Sequence, residues 1–294
     1  MENTKMKLTG KPSIDKPWLQ FYPEQLRNVE VPKMTIEEFL KYKNQDENRT
    51  AFEYYGNKIT WKTLWKEVDK AARSLKVLGY GDGRRIPLFL QSVPAHYILL
   101  MAAERIGATI ICRDDIPEEL CFAIRKSKAD TAFVMDYTSK EDEELFRATT
   151  PMTRMIKISP YDYADKDAMP EYTEKEIASR YSKNTETTEG NLTWKEFLEL
   201  GKDYHEDYMA ERNPDRPVFG AYTSGSTGIS KLVIHSSANV VAVAFQMSTI
   251  RCTGKMVASN SATGIDCSYS IYDTVPDVSR IECSTGSVLP SGRH

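Results

Sequence analysis

The apolar residues of the chain recur at spacings that predict a long helix after residue 60. Five of them fall on one helical face: Leu64, Val68, Ala71, Leu75 and Leu78. Intervals of three and four residues return to the same side of an α-helix. Thr60 before this segment is a capping residue, and Gly79 and Gly81 after it are helix stops. The pattern therefore predicts a helix with one buried face.

The segment before this helix contains two further predicted elements and a Pro-rich start. Thr35 is followed by Glu38 at the spacing of a capping box, which predicts a helix through residues 35–45. Two β-prone runs surround "GNK" within residues 50–61, which predicts a hairpin. Residues 1–34 are rich in proline, and we expect them to form an extended lead-in.

Between residues 85 and 159, short apolar runs alternate with helical patterns. The predicted strands are residues 85–90, 108–112, 131–136 and 154–159, and the predicted helices are residues 95–107, 117–129 and 140–149. Continuous apolar strands that alternate with helices indicate a buried parallel sheet. We expect an α/β fold in which mixed or parallel sheets are flanked by helices. A further strand is predicted at residues 217–222.

Residues 160–215 interrupt this alternation with a polar, acidic sequence. One helix is predicted there, at residues 193–202, and the rest is interpreted as a polar surface excursion. The acidic run at residues 141–144 is interpreted as the solvated face of a helix, with a metal site as the alternative. No metal ligand is predicted in the chain.

The composition narrows the classes of function. Of the 294 residues, 40% are hydrophobic and 28% are charged, which is typical of soluble globular proteins. A net charge of −3 gives no bias towards nucleic acid. The sequence contains no apolar run of transmembrane length and no signal peptide, so we expect a cytoplasmic protein. Five cysteines without a CxxC pair are interpreted as reduced, mostly buried thiols.

The segment "YTSGSTGISK", residues 222–231, stands between two apolar runs and is rich in hydroxyl groups. Glycines let backbone N–H groups approach an anion closely, hydroxyl groups donate hydrogen bonds, and a lysine adds positive charge. The residues suited to a phosphate group are Thr223, Ser224, Gly225, Ser226, Thr227, Gly228 and Lys231. The spacing differs from GxxxxGK[ST], and "LVIHS" after it predicts a strand. We therefore expect a phosphate clamp between two strands, with an exposed Ser/Gly linker as the alternative.

This segment resembles the signature of the adenylate-forming superfamily, which includes acyl-CoA synthetases, luciferases and peptide-synthetase adenylation domains. Residues 59–108 resemble the opening helix–strand–helix block of that superfamily, and residues 264–290 resemble its later acyl-pocket stretch. "KPWLQFYPEQL" and "NLTWKEFLELGK" resemble the fatty acyl-CoA synthetase branch. The resemblance implies that residues 35–294 are a partial AMP-binding N-terminal domain and that the family's C-terminal lid domain is absent.

The resemblance also implies a function, the ATP-dependent activation of a carboxylic acid. The resemblance to the fatty acyl-CoA synthetase branch implies that this acid is a fatty acid. The acid becomes an acyl-adenylate and then an acyl-CoA, with ATP and coenzyme A as co-substrates. Mg²⁺ is implied as an ion bound mainly through the substrate phosphates. Residues 223–228 and Lys231 match the family motif that holds the β- and γ-phosphates. Catalytic residues and the oligomeric state are not assigned.

The residues after the loop are candidates for an acyl pocket. His235, Asp266 and Ser268 match that part of the resemblance, with packing and helix capping as the alternatives. Ser236 and Ser237 are predicted to cap an apolar helix at residues 238–250. That helix is interpreted as part of the core, and the wall of an acyl tunnel is the alternative.

Several positions depart from the family pattern. Ser230 stands where the motif usually has proline, Leu232 where it has glycine, and Ile265 where an aromatic residue is expected. We do not find in the 294 residues the later Tyr-Gly-x-Thr-Glu stretch, the ribose-binding Asp or the catalytic lysine of the lid. We therefore expect a chain that is weakly active or inactive by itself. The alternatives are a non-catalytic nucleotide-binding or interaction module and a chain that folds poorly.

Overall fold

A seven-stranded sheet forms the centre of the structure, a computed structural model that describes residues 9–22, 24, 27, 30–112, 117–181, 189–223, 231–251 and 281–282. Its strands are β3 (Arg85–Phe89), β4 (Thr109–Cys112), β5 (Thr131–Met135), β6 (Arg154–Ile158), β7 (Leu192–Thr193), β8 (Pro217–Tyr222) and β9 (Leu232–Ser236). They lie in the order β7–β6–β5–β3–β4–β8–β9, and each pair is parallel except the antiparallel pair β8–β9. The predicted α/β class, with a mixed and largely parallel sheet, is confirmed.

Helices and a second, small sheet complete the described part of the chain. The helices are α1 (Pro12–Asp15), α2 (Ile36–Lys43), α3 (Trp61–Val77), α4 (Pro94–Ile106), α5 (Pro117–Ser127), α6 (Lys140–Thr149), α7 (Glu171–Tyr181), α8 (Trp194–Leu200) and α9 (Ser237–Arg251). The small sheet pairs β1 (Thr50–Tyr54) with β2 (Asn57–Thr60) as the predicted hairpin, and with β10 (Ile281–Glu282) in parallel.

The predicted helix starts are present as hydrogen bonds. At α2, Thr35 Oγ1 accepts the Glu38 N–H at 3.3 Å, and Glu38 Oε2 accepts the Thr35 N–H at 2.9 Å. At α3, Thr60 Oγ1 accepts the Thr63 N–H at 3.2 Å. Each bond satisfies a donor that the first turn of a helix leaves unpaired. The local sequence therefore sets where these helices begin.

The core lies in two layers on opposite faces of the large sheet. One layer combines α3 and α4 with β1 and the sheet, and Val68, Leu75 and Ile98 in it are fully buried. The other layer packs α5 and α6 on the sheet around Ile124 and Phe146, which are 0% and 1% exposed. Helices on both faces explain why the parallel strands have continuous apolar sequences.

Residues 160–215 differ from the predicted surface excursion, because part of them belongs to the sheet and the core. Strand β7 pairs with β6 in parallel and extends the sheet at one edge. Trp194 and Phe197 of α8 are 3% and 0% exposed. The Phe197 and Phe133 rings pack edge to face, with their centroids 5.1 Å apart. The polar average of this segment conceals apolar residues at helical spacing in α8, and it also conceals helix α7.

Helix α8 approaches α3 closely through a glycine. A Cβ atom at Gly201 would lie 2.5 Å from the backbone nitrogen of Ser74. The absence of a side chain therefore permits the Gly201 backbone to approach the backbone of α3, and the Gly201 N–H donates to the Ser74 side chain, at 3.0 Å from Oγ. The chain that follows α8 is thereby attached to α3.

The acidic run of α6 is only partly a solvated face, which corrects the sequence interpretation. Glu141 and Glu144 are exposed, whereas Glu143 is 1% exposed and forms a short ion pair with Lys157 of β6. Asn191, next to β7, donates to Glu143 Oε2 at 2.9 Å and accepts from Arg147 Nη2 at 2.7 Å. The buried carboxylate therefore connects α6 with the sheet edge. The acidic sequence at residues 141–144 does not by itself reveal that Lys157 of β6 lies next to Glu143.

The described part of the lead-in is helical in two places where the sequence suggested extended backbone. Helix α1 is followed at once by a 3₁₀-helix, Pro17–Phe21. A proline occupies the first turn of each, where its fixed φ is compatible with a helix. Asp15 accepts the N–H groups of Thr9 and Gly10 at 2.8 Å each, which folds this segment back on itself.

The thiol interpretation is confirmed for the two cysteines that the structure describes. Cys112 and Cys121 are buried free thiols, and Cys112 Sγ lies 3.4 Å from His96 Nε2. The remaining cysteines, Cys252, Cys267 and Cys283, lie outside the described residues. Of the helices that the structure describes, none combines the length and the apolar character that crossing a bilayer requires.

Replacing Glu143 tests the buried ion pair. We expect Glu143→Ala to lower the free energy of unfolding by about 3–5 kcal/mol, because it leaves the Lys157 ammonium buried without its carboxylate. Urea unfolding monitored by circular dichroism measures this change. The matched control Glu144→Ala, on the exposed side of the helix, should change stability by less than about 0.5 kcal/mol. If Glu143→Ala lowered the free energy of unfolding no more than Glu144→Ala does, the ion pair would not contribute to stability.

Replacing Phe197 tests whether residues 160–215 include part of the core. Phe197→Ala should cost about 3–5 kcal/mol, because it removes a fully buried ring and leaves a cavity beside Phe133. Lys195→Ala, two positions away on the exposed side, is the control and should be nearly neutral. A neutral Phe197→Ala in the same urea titration would restore the surface interpretation of this segment.

Candidate functional site

The hairpin of β8 and β9 places Thr223 and Lys231, the residues that flank residues 224–230, at one edge of the large sheet. Strand β8 pairs with β4 in parallel, with Ile110 opposite Phe219 and Cys112 opposite Ala221. Its carboxyl end therefore lies beside the carboxyl ends of β3 to β6. This edge is where open α/β sheets bind ligands. Thr223 is the first residue beyond it.

Two hydrogen bonds close the neck of the loop, which we define as Thr223 and Lys231. The Thr223 N–H donates to the Lys231 carbonyl oxygen at 2.9 Å. The Lys231 N–H donates to Thr223 Oγ1 at 3.2 Å. The hairpin therefore holds both ends of the predicted phosphate segment together at the sheet edge.

The structure places only part of the predicted phosphate site. Thr223 and Lys231 are described, and they lie opposite each other in the neck. Five predicted members lie outside the described residues: Ser224, Gly225, Ser226, Thr227 and Gly228. Asp266 and Ser268 of the predicted acyl pocket lie outside them as well.

Lys231 has the exposure that an anion-binding lysine needs. Its side chain is exposed, and no carboxylate of the described residues lies within 4.0 Å of its ammonium. A compact ammonium on a flexible stem can reach a phosphate oxygen without breaking an existing ion pair. The described residues bring together no group of three or more His, Cys, Asp and Glu side chains suited to a metal ion.

His235 packs on the neighbouring strand. It lies opposite Phe219 in the β8–β9 register, and the two rings stack with centroids 6.0 Å apart and planes at 28°. The side chain is half-buried. This contact agrees with the packing alternative. The role of His235 in an acyl pocket stays a prediction.

The two serines before α9 have different partners. Ser236 Oγ accepts the Asn239 N–H at 3.3 Å, and its own N–H donates to Asn239 Oδ1 at 3.1 Å, so Ser236 caps the helix as predicted. Ser237 Oγ instead donates to Glu104 Oε1 at 2.5 Å. The end of the hairpin away from the loop is thus attached to α4.

Glu104 is a structural residue that the sequence analysis did not identify. Its carboxylate accepts the N–H groups of Ile36 and Glu37 at 2.8 and 2.9 Å, in addition to the Ser237 hydroxyl. Burial raises the pKa of Glu104, while the hydrogen bonds that it accepts act in the opposite direction. One carboxylate therefore connects α2, α4 and α9. A charged residue within the apolar sequence of α4 was the available signal.

Helix α9 is buried on one face. Val240, Val241 and Ala244 are 5%, 1% and 1% exposed, which confirms the core interpretation for this face. Val243 on α9 is 38% exposed, and Val233 on β9 is 42% exposed. The wall of an acyl tunnel remains a prediction for the exposed side.

Comparison with protein families gives a match that includes the hairpin and its loop. The sequence model described as AMP-binding enzyme matches residues 39–269. The acetyl-coenzyme A synthetase of Helicobacter pylori strain G27 is 28% identical over 253 residues, which cover 81% of this chain and 36% of that protein. The acetyl-coenzyme A synthetase of Escherichia coli K12 is 26% identical, over 67% of this chain and 30% of that protein.

Solved structures share the fold at low sequence identity. Acetoacetyl-CoA synthetase from Streptomyces lividans superposes with a TM-score of 0.60 and 16% identity, over 84% of this chain and 38% of that one. The anthranilate CoA ligase AuaEII, solved with anthranoyl-AMP, gives a TM-score of 0.58 and 16% identity, over 74% and 38%. The chain spans about a third of the length of the curated relatives that it matches. Since the family match extends over residues 39–269, well over half of the chain, the protein belongs to the family of AMP-binding enzymes.

Proposed function

We propose that the protein binds ATP and activates a carboxylic acid as its acyl-adenylate, from which the acyl group passes to coenzyme A. The observation that carries this proposal is the β8–β9 hairpin, which places Thr223 and the exposed Lys231, the two ends of a hydroxyl- and glycine-rich sequence, at the carboxyl edge of the sheet. The resemblance of that segment to the family motif and the family match over residues 39–269 support it.

The first step is a displacement at phosphorus. A carboxylate oxygen of the acid forms a bond to the α-phosphorus of ATP, and the bond from that phosphorus to the bridging oxygen breaks. Pyrophosphate leaves with the electron pair. The protein stabilises the charge that develops on the leaving group, and each well-placed donor contributes roughly a hundredfold to a thousandfold in rate. In the second step the thiolate sulfur of coenzyme A attacks the acyl carbon, and AMP leaves.

The residues proposed to hold the leaving pyrophosphate come from the loop and its neck. They are Thr223, Ser224, Gly225, Ser226, Thr227, Gly228 and Lys231. Backbone N–H groups at glycines and hydroxyl protons can donate to several phosphate oxygens, and the Lys231 ammonium compensates charge. Mg²⁺ neutralises phosphate charge when bound, and we assign it mainly to the phosphate oxygens, as is usual for nucleotide-bound Mg²⁺.

For the acid we propose a fatty acid, with His235, Asp266 and Ser268 as contacts of its pocket. The resemblance of residues 16–26 and 191–202 to the fatty acyl-CoA synthetase branch supports this assignment. The exposed apolar residues Val233 of β9 and Val243 of α9 also suit an alkyl chain. The names of the relatives, acetyl-coenzyme A synthetases, favour a short acid instead.

A second candidate function is a nucleotide-binding module without turnover. Ser230 and Leu232 replace the proline and glycine of the family loop, which removes a fixed φ and adds a side chain beside the neck. Such a loop can retain phosphate contacts while losing the geometry that the chemical step needs.

Binding of MgATP tests the first part of the proposal. MgATP at a hundred times its Kd should stabilise the chain by about 2.7 kcal/mol and raise Tm accordingly. Lys231→Ala should weaken binding roughly tenfold to hundredfold, because it removes a charge-assisted hydrogen bond. Lys202 is an exposed lysine two residues after the end of α8, and Lys202→Ala, the matched control, should bind as the wild type does. Equal affinity of the two variants would remove Lys231 from the site.

A panel of acids tests the second part. We expect pyrophosphate exchange, slow in this chain, to increase from acetate to octanoate, because each buried methylene contributes about 0.8 kcal/mol, or roughly fourfold. An optimum at acetate would contradict the fatty acid assignment and leave adenylation intact. ATP binding without exchange for any acid would favour the non-catalytic module.

A further inference from the structure

The ladder of hydrogen bonds between β8 and β9 ends at the neck, where one backbone N–H donates to a side chain. In an antiparallel ladder, every second pair of opposed residues exchanges both backbone N–H···O bonds, and the pairs between them exchange none. At Thr223 and Lys231 one bond is of this kind, from the Thr223 N–H to the Lys231 carbonyl oxygen at 2.9 Å. The Lys231 N–H instead donates to Thr223 Oγ1 at 3.2 Å. A hydroxyl group thus occupies the acceptor position where a continued ladder would use a carbonyl oxygen.

The hairpin below the neck leaves little freedom at this point. Successive residues of β8 and β9 are paired as far as Tyr222 and Leu232. A Cβ atom at Gly220 would lie 2.9 Å from the side chains of Ile111 and Ile234, so the three strands are closely packed there. Beyond this ladder, the two bonds with Thr223 are the backbone hydrogen bonds that the described residues give Lys231, and one of them is to the Thr223 hydroxyl.

We infer that Thr223 is a positioning residue for Lys231: its hydroxyl oxygen holds the Lys231 backbone so that the ammonium points to the phosphate groups of a bound nucleoside triphosphate. This inference rests on the proposed function and adds to it a role for Thr223 other than that of a simple phosphate contact. A hydroxyl group accepts through its oxygen, so the bond from the Lys231 N–H does not consume the Thr223 proton.

The chemistry of threonine suggests two informative substitutions. Valine keeps the branched shape and the stiff χ1 of threonine but has no acceptor for the Lys231 N–H. Serine keeps the acceptor and loses one methyl group. If the hydroxyl positions Lys231, the ammonium should lose most of its effect on ATP binding in the valine variant and keep it in the serine variant.

The test is a double-mutant cycle on the full chain, with MgATP affinity measured by titration calorimetry. Lys231→Ala should weaken binding at least tenfold in the wild-type background and in the Thr223→Ser background. In the Thr223→Val background the same substitution should cost less than threefold, because the lysine is already misplaced. Hydrogen exchange at the Lys231 amide should be faster in Thr223→Val and close to the wild-type rate in Thr223→Ser.

The possible outcomes distinguish the positioning role of Thr223 from the proposed nucleotide binding. An equal loss on Lys231→Ala in all three backgrounds would overturn the positioning role and leave the nucleotide site intact. A wild-type chain that does not bind MgATP would refute the proposed function, and the inference with it. If Thr223→Val does not fold, as judged by circular dichroism, Thr223→Ala replaces it with the same expectation.

Discussion

The parallel pairing of β8 with β4 is the constraint on which the candidate site depends. Strand β8 lies between β4 on one side and β9 on the other, so its carboxyl end is fixed at the carboxyl edge of the sheet, the edge where open α/β sheets bind ligands. Because β9 runs antiparallel, the chain must reverse its direction at that edge. Thr223 and Lys231, which flank the Ser/Thr/Gly-rich sequence, lie opposite each other where the strands end.

Buried polar contacts attach the rest of the described chain to this sheet. The Glu104 carboxylate joins α2, α4 and the start of α9, and therefore holds the hairpin at the end opposite the loop. The ion pair of Glu143 with Lys157 fixes α6 and, through Asn191, the sheet edge at β7. The buried carboxyl groups of Glu104 and Glu143 each have several polar partners, which a buried polar group requires. The β8–β9 hairpin is thus held at one end by the Thr223–Lys231 bonds and at the other by the Ser237–Glu104 bond.

The sequence predicted the elements whose signals are local and missed those that depend on a distant partner. Helix α6 has the predicted bounds, residues 140–149, and Thr35 and Thr60 cap their helices because capping involves only neighbouring residues. The burial of Glu143 depends on Lys157 in another element, which periodicity does not reveal. Of the candidate site, the sequence predicted the strand–loop–strand arrangement, and the neck bond between Thr223 and Lys231 emerged only from the register of two strands.

The most direct test of this account is a crystal structure of the chain with Mg²⁺ and a non-hydrolysable ATP analogue. The account predicts that the β- and γ-phosphates lie at the carboxyl edge of the sheet, within hydrogen-bond distance of Lys231 Nζ and of donors in residues 223–228. An analogue bound elsewhere, with the β8–β9 loop and Lys231 making no phosphate contact, would contradict it.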